Sequence, residues 1–224
     1  GNLASTPGKD ARRIRARARR RRDRPSRATY PQPAPNPPIP TYVYASPMAK
    51  VANKVFLIGP MGSGKSAVGK YLARTLQLPF VDSDAEIERR TGVDITYIFD
   101  REGEAGFRQR EHEALEELTQ RPSLVLATGG GAVLLPENRR LLADHGFVVY
   151  LETAVEQQVE RVRQSRHRPL LQDVDPAVKL GDLMTVRAPL YESLADVKVT
   201  TDHRRVQTVA AEIRAALKHL PQAQ

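Results

Sequence analysis

Residues 54–66 read KVFLIGPMGSGKS. Lys54–Ile58 is a short apolar run ended by Gly59, the pattern of a strand buried on both faces. The next eight positions, Gly59-Pro60-Met61-Gly62-Ser63-Gly64-Lys65-Ser66, fit G-x-x-x-x-G-K-[ST]. In such a loop the glycines let successive backbone N–H groups turn toward phosphate oxygens. Lys65 supplies a point charge to the β- and γ-phosphates, and the Ser66 hydroxyl can join Mg²⁺ coordination. Apolar Val68, Leu72, Ala73 and Leu76 then follow at helical spacing, so a helix begins at the loop and adds its positive end to the site. A chance match is expected in roughly one chain in a hundred of this size, with glycine at about 7% of residues. The strand before and the helix after are the context the motif requires. Nucleotide binding is therefore expected of Gly62, Ser63, Gly64, Lys65, Ser66 and Ala67. The motif does not name the acceptor, since ATPases, GTPases and small-molecule kinases share it.

Beyond this point strands and helices alternate. Pro79–Asp82, Ser123–Ala127, Phe147–Leu151 and Val197–Thr200 read as further strands. Helices are expected at Ala85–Arg90, Ile95–Arg101, Glu104–Gln120, Pro136–Asp144, Val155–Gln164 and Val206–Leu220. A further helix is expected over Val178–Leu194, interrupted near its end by Pro189. The polar, basic stretch Ser165–Asp175 reads as a loop. Strands separated by helices imply a parallel sheet covered on both faces, an α/β fold.

Charge is unevenly spread. The chain has 224 residues and a formal charge of +9, but residues 1–50 hold 12 Lys/Arg against 2 Asp. Residues 51–224 hold 23 Lys/Arg against 24 Asp/Glu, so the excess basicity lies in the first 50 residues. That stretch also carries 9 of the 17 prolines and few apolar residues. Residues 1–50 are thus expected to be a disordered extension, and 51–224 the folded domain. A polybasic tail suits non-specific binding to RNA, DNA or anionic lipid; the preferred reading is an extension or processed leader. Cysteine is absent, which excludes disulfide scaffolds, thiolate zinc sites and cysteine nucleophiles. No apolar run approaches the roughly 20 residues of a membrane helix. The five histidines show no metal-ligand spacing and read as surface or structural.

Three polar clusters fall at the other strand ends, where open α/β sheets bind ligands. Asp82-Ser83-Asp84 offers two carboxylates, one for the metal or nucleophile and one for a bound hydroxyl; the plainer alternative is a helix cap at Asp84. In Gly103–Glu111, Arg108 and Glu111 are three residues apart and can pair on one helix face, so that the arginine presents its fork to a carboxylate; the alternative is a solvated surface pair. Thr128-Gly129-Gly130-Gly131 ends a buried strand and allows close approach of a small ligand.

In chain order GPMGSGKS, DSD, GEAGFRQRE, TGGG, RHRPLL and RAPLY resemble the shikimate kinase family over about Lys54–Leu220. The resemblance implies a three-layer P-loop kinase fold with a five-stranded parallel sheet of order 2-3-1-4-5 and a lid loop. It implies transfer of the ATP γ-phosphate to the 3-hydroxyl of shikimate, with Mg²⁺ held by Ser66. By the same resemblance Asp84 accepts hydrogen bonds from shikimate hydroxyls, Arg108 and Arg187 hold its carboxylate, and Gly130 contacts it through the backbone. Arg168 matches the lid arginine over the phosphates, Asp82 an acid near the metal and attacking hydroxyl, and Arg204 the region of the adenine contact. Lys65, Asp82 and Arg168 are the expected catalytic residues. A cytoplasmic monomer with no specific nucleic-acid or membrane partner is expected. The chemistry agrees: a small hydroxylated anion needs a bidentate cation and hydroxyl acceptors. A gluconate kinase-like enzyme shares the loop and size but does not predict the GEAGFR and RAPLY arginines together. A nucleic-acid-dependent NTPase is disfavoured by the domain's charge and its scarcity of aromatics. The kinase reading requires Arg108, Arg187, Asp84 and Lys65 to share one cleft.

Overall fold

The computed structural model describes residues 52–163 and 175–220, which hold a five-stranded parallel sheet in the order β2-β3-β1-β4-β5. The strands are β1 Lys54–Ile58, β2 Phe80–Asp82, β3 Leu124–Ala127, β4 Phe147–Glu152 and β5 Val197–Thr200. The helices are α1 Lys65–Leu76, α2 Ser83–Thr91, α3 Ile95–Gln120, α4 Pro136–His145, α5 Val155–Arg163, α6 Pro176–Leu194 and α7 Val206–Leu217. The order is the one implied by the family resemblance.

Strand β1 lies at the centre, with Val55 opposite Val125 on one side and Phe147 on the other. Because side chains alternate along a strand, Val55 and Leu57 face one layer and Phe56 and Ile58 the other. Val55 and Leu57 meet Val68 and Leu72 of α1 and Val209 and Ile213 of α7. Phe56 and Ile58 share a core with Leu115 and Leu118 of α3, Leu142 of α4 and Tyr191 of α6. Each side chain so buried contributes about 1.5–3 kcal/mol against leaving it in water. The two apolar faces of one central strand thus dictate three layers. A smaller cluster, Ile87, Ile98, Phe107 and Ala114, fastens α2 to α3 beside the sheet, with the Phe99 and Phe107 rings 4.7 Å apart. Among the described residues, no helix is long and apolar enough to cross a membrane.

Three expectations are corrected. The helix after β2 begins at Ser83, because the side chain of Asp82, and not Asp84, caps it by accepting from Asp84 N and Ala85 N. The helices expected at Ile95–Arg101 and Glu104–Gln120 are both present, as the two arms of α3 on either side of a non-helical kink at Gly103 (φ 70°, ψ −175°). Pro189 does not interrupt α6, which continues to Leu194. Leu190, Tyr191 and Leu194 pack into the core on the sheet, and that burial offsets the helix hydrogen bond that proline cannot donate. The last helix ends at Leu217 rather than Leu220. The expected extension at 1–50 and the loop with Arg166, His167 and Arg168 lie outside the described residues.

Candidate active site

The loop between β1 and α1 turns on Gly59 (φ 142°), Gly62 (φ 79°) and Gly64 (φ 87°), values L side chains rarely adopt. Gly64 takes the cap position of α1, so the first N–H groups of that helix open toward the loop. The Lys65 Nζ donates to the carbonyls of Gly59 (2.8 Å) and Pro60 (2.7 Å), folding its charge over the loop. Ser63 is buried and supports the loop from within. Ser66 Oγ donates to Asp82 Oδ2 at 2.5 Å, while Asp82 Oδ1 caps α2. Both carboxylate oxygens of Asp82 are thereby committed beside the phosphate loop. Hydroxyl and carboxylate there form an all-oxygen pair, which suits a hard cation such as Mg²⁺. Among the described residues, no cluster of three or more His, Cys, Asp or Glu side chains could hold a metal.

Opposite this loop, α3 carries Arg108. Its Nη1 donates to Glu111 Oε2 at 2.6 Å, and Nε and Nη2 reach Glu104 Oε1 at 3.3 and 3.2 Å. The arginine side chain is 11% exposed and Glu111 is fully buried, so this is no solvated surface pair. Burial pushes the Glu111 carboxyl above its ordinary range, against the pull of the Arg108 and Arg187 charges. Burial also works to lower the Arg108 pKa, but Glu111 and Glu104 more than offset it, and the guanidinium stays charged.

The glycine bend after β3 lies between these two walls. Gly129 N donates to the buried Ser83 Oγ at 2.9 Å. A methyl group on Gly129 would fall 2.5 Å from Glu111 Oε1 and 2.7 Å from Asp84 Oδ1. One on Gly131 would fall 2.5 Å from Cζ of Arg108. The bend is therefore a floor on which the acids and the guanidinium rest.

Together these groups line a cleft of about 600 Å³ at the carboxyl ends of the strands. Gly62, Gly64, Lys65, Ser66, Ala67 and Asp82 line its phosphate end. Asp84, Arg108, Gly130 and Arg187 line the rest, so the required convergence is met. Arg187 is almost fully buried. Ser63 sits behind the loop. Arg204 is not among the lining residues; its guanidinium donates to Thr200 O (2.9 Å) and Glu212 Oε2 (2.6 Å). Arg168 falls outside the described residues.

Among the lining residues not expected as site residues, Glu111 and Arg161 have polar roles that shape the cleft. Glu111 was read only as a partner of Arg108. Arg161 of α5 donates to Gly62 O (2.9 Å) and Thr201 O (2.9 Å), tying the phosphate loop to the segment after β5. Nothing local marks Arg161 among the exposed charges of α5; its role depends on partners distant in the chain.

Residues 61–218 match the family model described as Shikimate kinase. The shikimate kinase of Pasteurella multocida is 54% identical over 167 residues, covering 74% of this chain and 95% of the relative. That of Thioalkalivibrio sulfidiphilus is 54% identical over 166 residues, covering 74% and 87%. Among solved structures, the shikimate kinase from Acinetobacter baumannii in complex with shikimate superimposes with a TM-score of 0.73 at 47% identity, covering 74% of this chain and 93% of that one. The enzyme from Aquifex aeolicus gives 0.65 at 36% identity, covering 74% and 96%.

Proposed function

This chain belongs to the shikimate kinase family, and from that premise we propose how its cleft phosphorylates shikimate with ATP in aromatic amino-acid biosynthesis. The observation that carries the reading is the convergence of Arg108, Arg187 and Asp84 with the phosphate loop on one cleft. The shikimate 3-hydroxyl oxygen bonds to the γ-phosphorus as the bond from that phosphorus to the β-phosphate oxygen breaks; ADP leaves and the hydroxyl proton passes to solvent. Phosphoryl transfer needs little covalent help, so positioning and neutralisation of charge carry the rate.

The N–H groups of the loop and the first turn of α1 hold the phosphates. Lys65 exchanges its two carbonyl partners for phosphate oxygens and neutralises charge as it develops. Ser66 and Asp82 would hold Mg²⁺, and the ion would supply positive charge that offsets repulsion between the phosphates and the acceptor. The cap to α2 locks the Asp82 rotamer, so that Asp82 acts from the metal side and Asp84 is the carboxylate facing the acceptor. Asp84 accepts from shikimate hydroxyls. Arg108 and Arg187 bind the carboxylate of shikimate, and Glu111 and Glu104 hold the Arg108 fork in place. Gly130 contacts the acceptor through its backbone. Arg168 and Arg204 enter only through the family motifs, as lid and adenine contacts. A monomeric state and a cytoplasmic location are part of the same reading.

A coupled ADP-release assay tests the reading, with shikimate, gluconate, quinate or no acceptor. Release should depend on shikimate; equal release with gluconate or with no acceptor would overturn it. Removing residues 1–50 should leave this activity intact, whereas a function that needs a nucleic acid would be lost with the basic segment.

A further inference from the structure

Gly130 is bounded on two sides. A methyl group on it would meet the phosphate loop at ordinary contact distance, 3.4 Å from Met61 N and 3.6 Å from Gly59 O, so its backbone lies about the width of a methyl group from the loop. From the other side the Tyr191 hydroxyl donates to Gly130 O at 2.5 Å. Tyr191 is fully buried, and its ring stacks on Tyr150 of β4 with centroids 5.1 Å apart. It stands one helical turn from Arg187 on α6, on the same buried face. The Arg187 guanidinium faces the same hydroxyl. One rigid turn of α6 therefore carries an acceptor-binding arginine and a tether to the floor of the acceptor site.

We infer that Tyr191 is a positioning residue: through its hydrogen bond to Gly130 it sets the glycine bend, and so the distance of shikimate from the phosphate loop. The inference rests on the shikimate reading above. The tether is stiff at both ends. The stacked Tyr150 ring fixes the phenol, and the phosphate loop limits movement of Gly130 toward it to about the width of a methyl group. Burial holds the phenol protonated across the working range, so it remains a donor. Ser83 fixes the neighbouring peptide by accepting from Gly129 N, so the bend is held from α2 as well as α6. Without the hydroxyl, Gly130 O loses its protein partner and the bend can turn to find another. Arg187 would still be present, but the floor opposite it would no longer be in register.

Tyr191→Phe keeps the ring and its stacking and removes the hydroxyl, and with it both the tether to Gly130 and the contact with Arg187; Ser83→Ala leaves Arg187 untouched and so separates the two. Shikimate KM, and the shikimate Kd from calorimetry without nucleotide, should each rise roughly fivefold or more, while ATP KM and the melting temperature stay near wild type. Tyr150→Phe is the control, because the Tyr150 hydroxyl makes no hydrogen bond among the described residues; it should leave shikimate KM unchanged. Ser83→Ala reads the same bend from its other tether and should also raise shikimate KM selectively, which keeps the test open if Tyr191→Phe folds poorly. An unchanged shikimate Kd in a folded Tyr191→Phe overturns the inference. So does a parallel loss of ATP and shikimate affinity with a fall in melting temperature, the mark of a purely structural role. If wild type binds no shikimate, the underlying reading fails, and the inference with it.

Discussion

Arg108 is held by what lies around it and by what is missing beneath it. Glu111 and Glu104 bind the guanidinium from its own helix, and Gly131 leaves room for it because it has no side chain. A methyl group at position 131 would overlap the end of a flexible arginine, not a rigid wall. Gly131→Ala should therefore fold, displace the guanidinium and raise shikimate KM about tenfold to a hundredfold, with ATP KM unchanged. Steady-state kinetics in both substrates would check it, and an unaltered shikimate KM would show that the position of Arg108 does not govern acceptor binding. Lys65→Met should instead lower kcat by about a hundredfold or more, through lost stabilisation of transition-state charge. Wild-type turnover in that variant would remove Lys65 from the mechanism. The phosphate-loop residues were legible because the motif is a run of eight neighbours. Glu111 was legible only as a pairing option, because the sequence spacing does not reveal burial.

Helix α3 works because it bends. Gly103 adopts a backbone conformation that is essentially confined to glycine (φ 70°, ψ −175°). The bend lets Ile98 and Phe99 pack on Phe107 while the following turns carry Arg108 and Glu111 into the cleft. Glu102 and Arg110 pair across the bend at 2.8 and 2.7 Å, but both are exposed, and such pairs contribute little. Gly103→Ala should lower stability by about 1–3 kcal/mol, whereas Glu102→Gln should leave it close to wild type. Denaturant melts separate the two, and equal stability of Gly103→Ala and wild type would show that the bend carries no strain. The reading of two helices meeting at Gly103 anticipated the break, because glycine is a poor interior helix residue. Pro189 shows the reverse: a local breaker is tolerated because its neighbours are buried.

Two carboxyl groups with opposite shifts shape the pH response of the domain. Hydrogen bonds from Arg89 chiefly, and from Arg90, hold the Glu86 carboxyl at about 2, below its ordinary 4.5, with burial opposing. A depressed carboxyl contributes stability that is present above its ordinary pKa and lost as pH falls from 4.5 toward 2. Glu111 has the opposite sign: burial raises it, so its contribution is present at low pH and lost as pH rises through the raised value, with Arg108 and Arg187 limiting that loss. Glu86→Gln should therefore flatten the acid side of the stability curve between pH 4.5 and about 2. Denaturation midpoints across that range measure the effect, which is tempered by the exposure of Arg89. Parallel acid limbs in variant and wild type would show that the ion pair contributes nothing.

Strand identity, the alternation of strand and helix and the phosphate loop follow from spacings a few residues long, and the chain carries them wherever it is read. The ordered motifs extend this to Asp84, Arg108, Gly130 and Arg187. Contacts between distant segments decided the rest. Arg161 meets Gly62 across 99 positions, Tyr191 reaches Gly130 across 61, and Gly129 meets Ser83 across 46. Such partners come together only when the parallel sheet brings the carboxyl ends of its strands to one edge. Local periodicity encodes which face of an element is apolar, but not which buried polar groups will meet there. The buried acid, the loop-tying arginine and the tyrosine tether therefore emerge from packing.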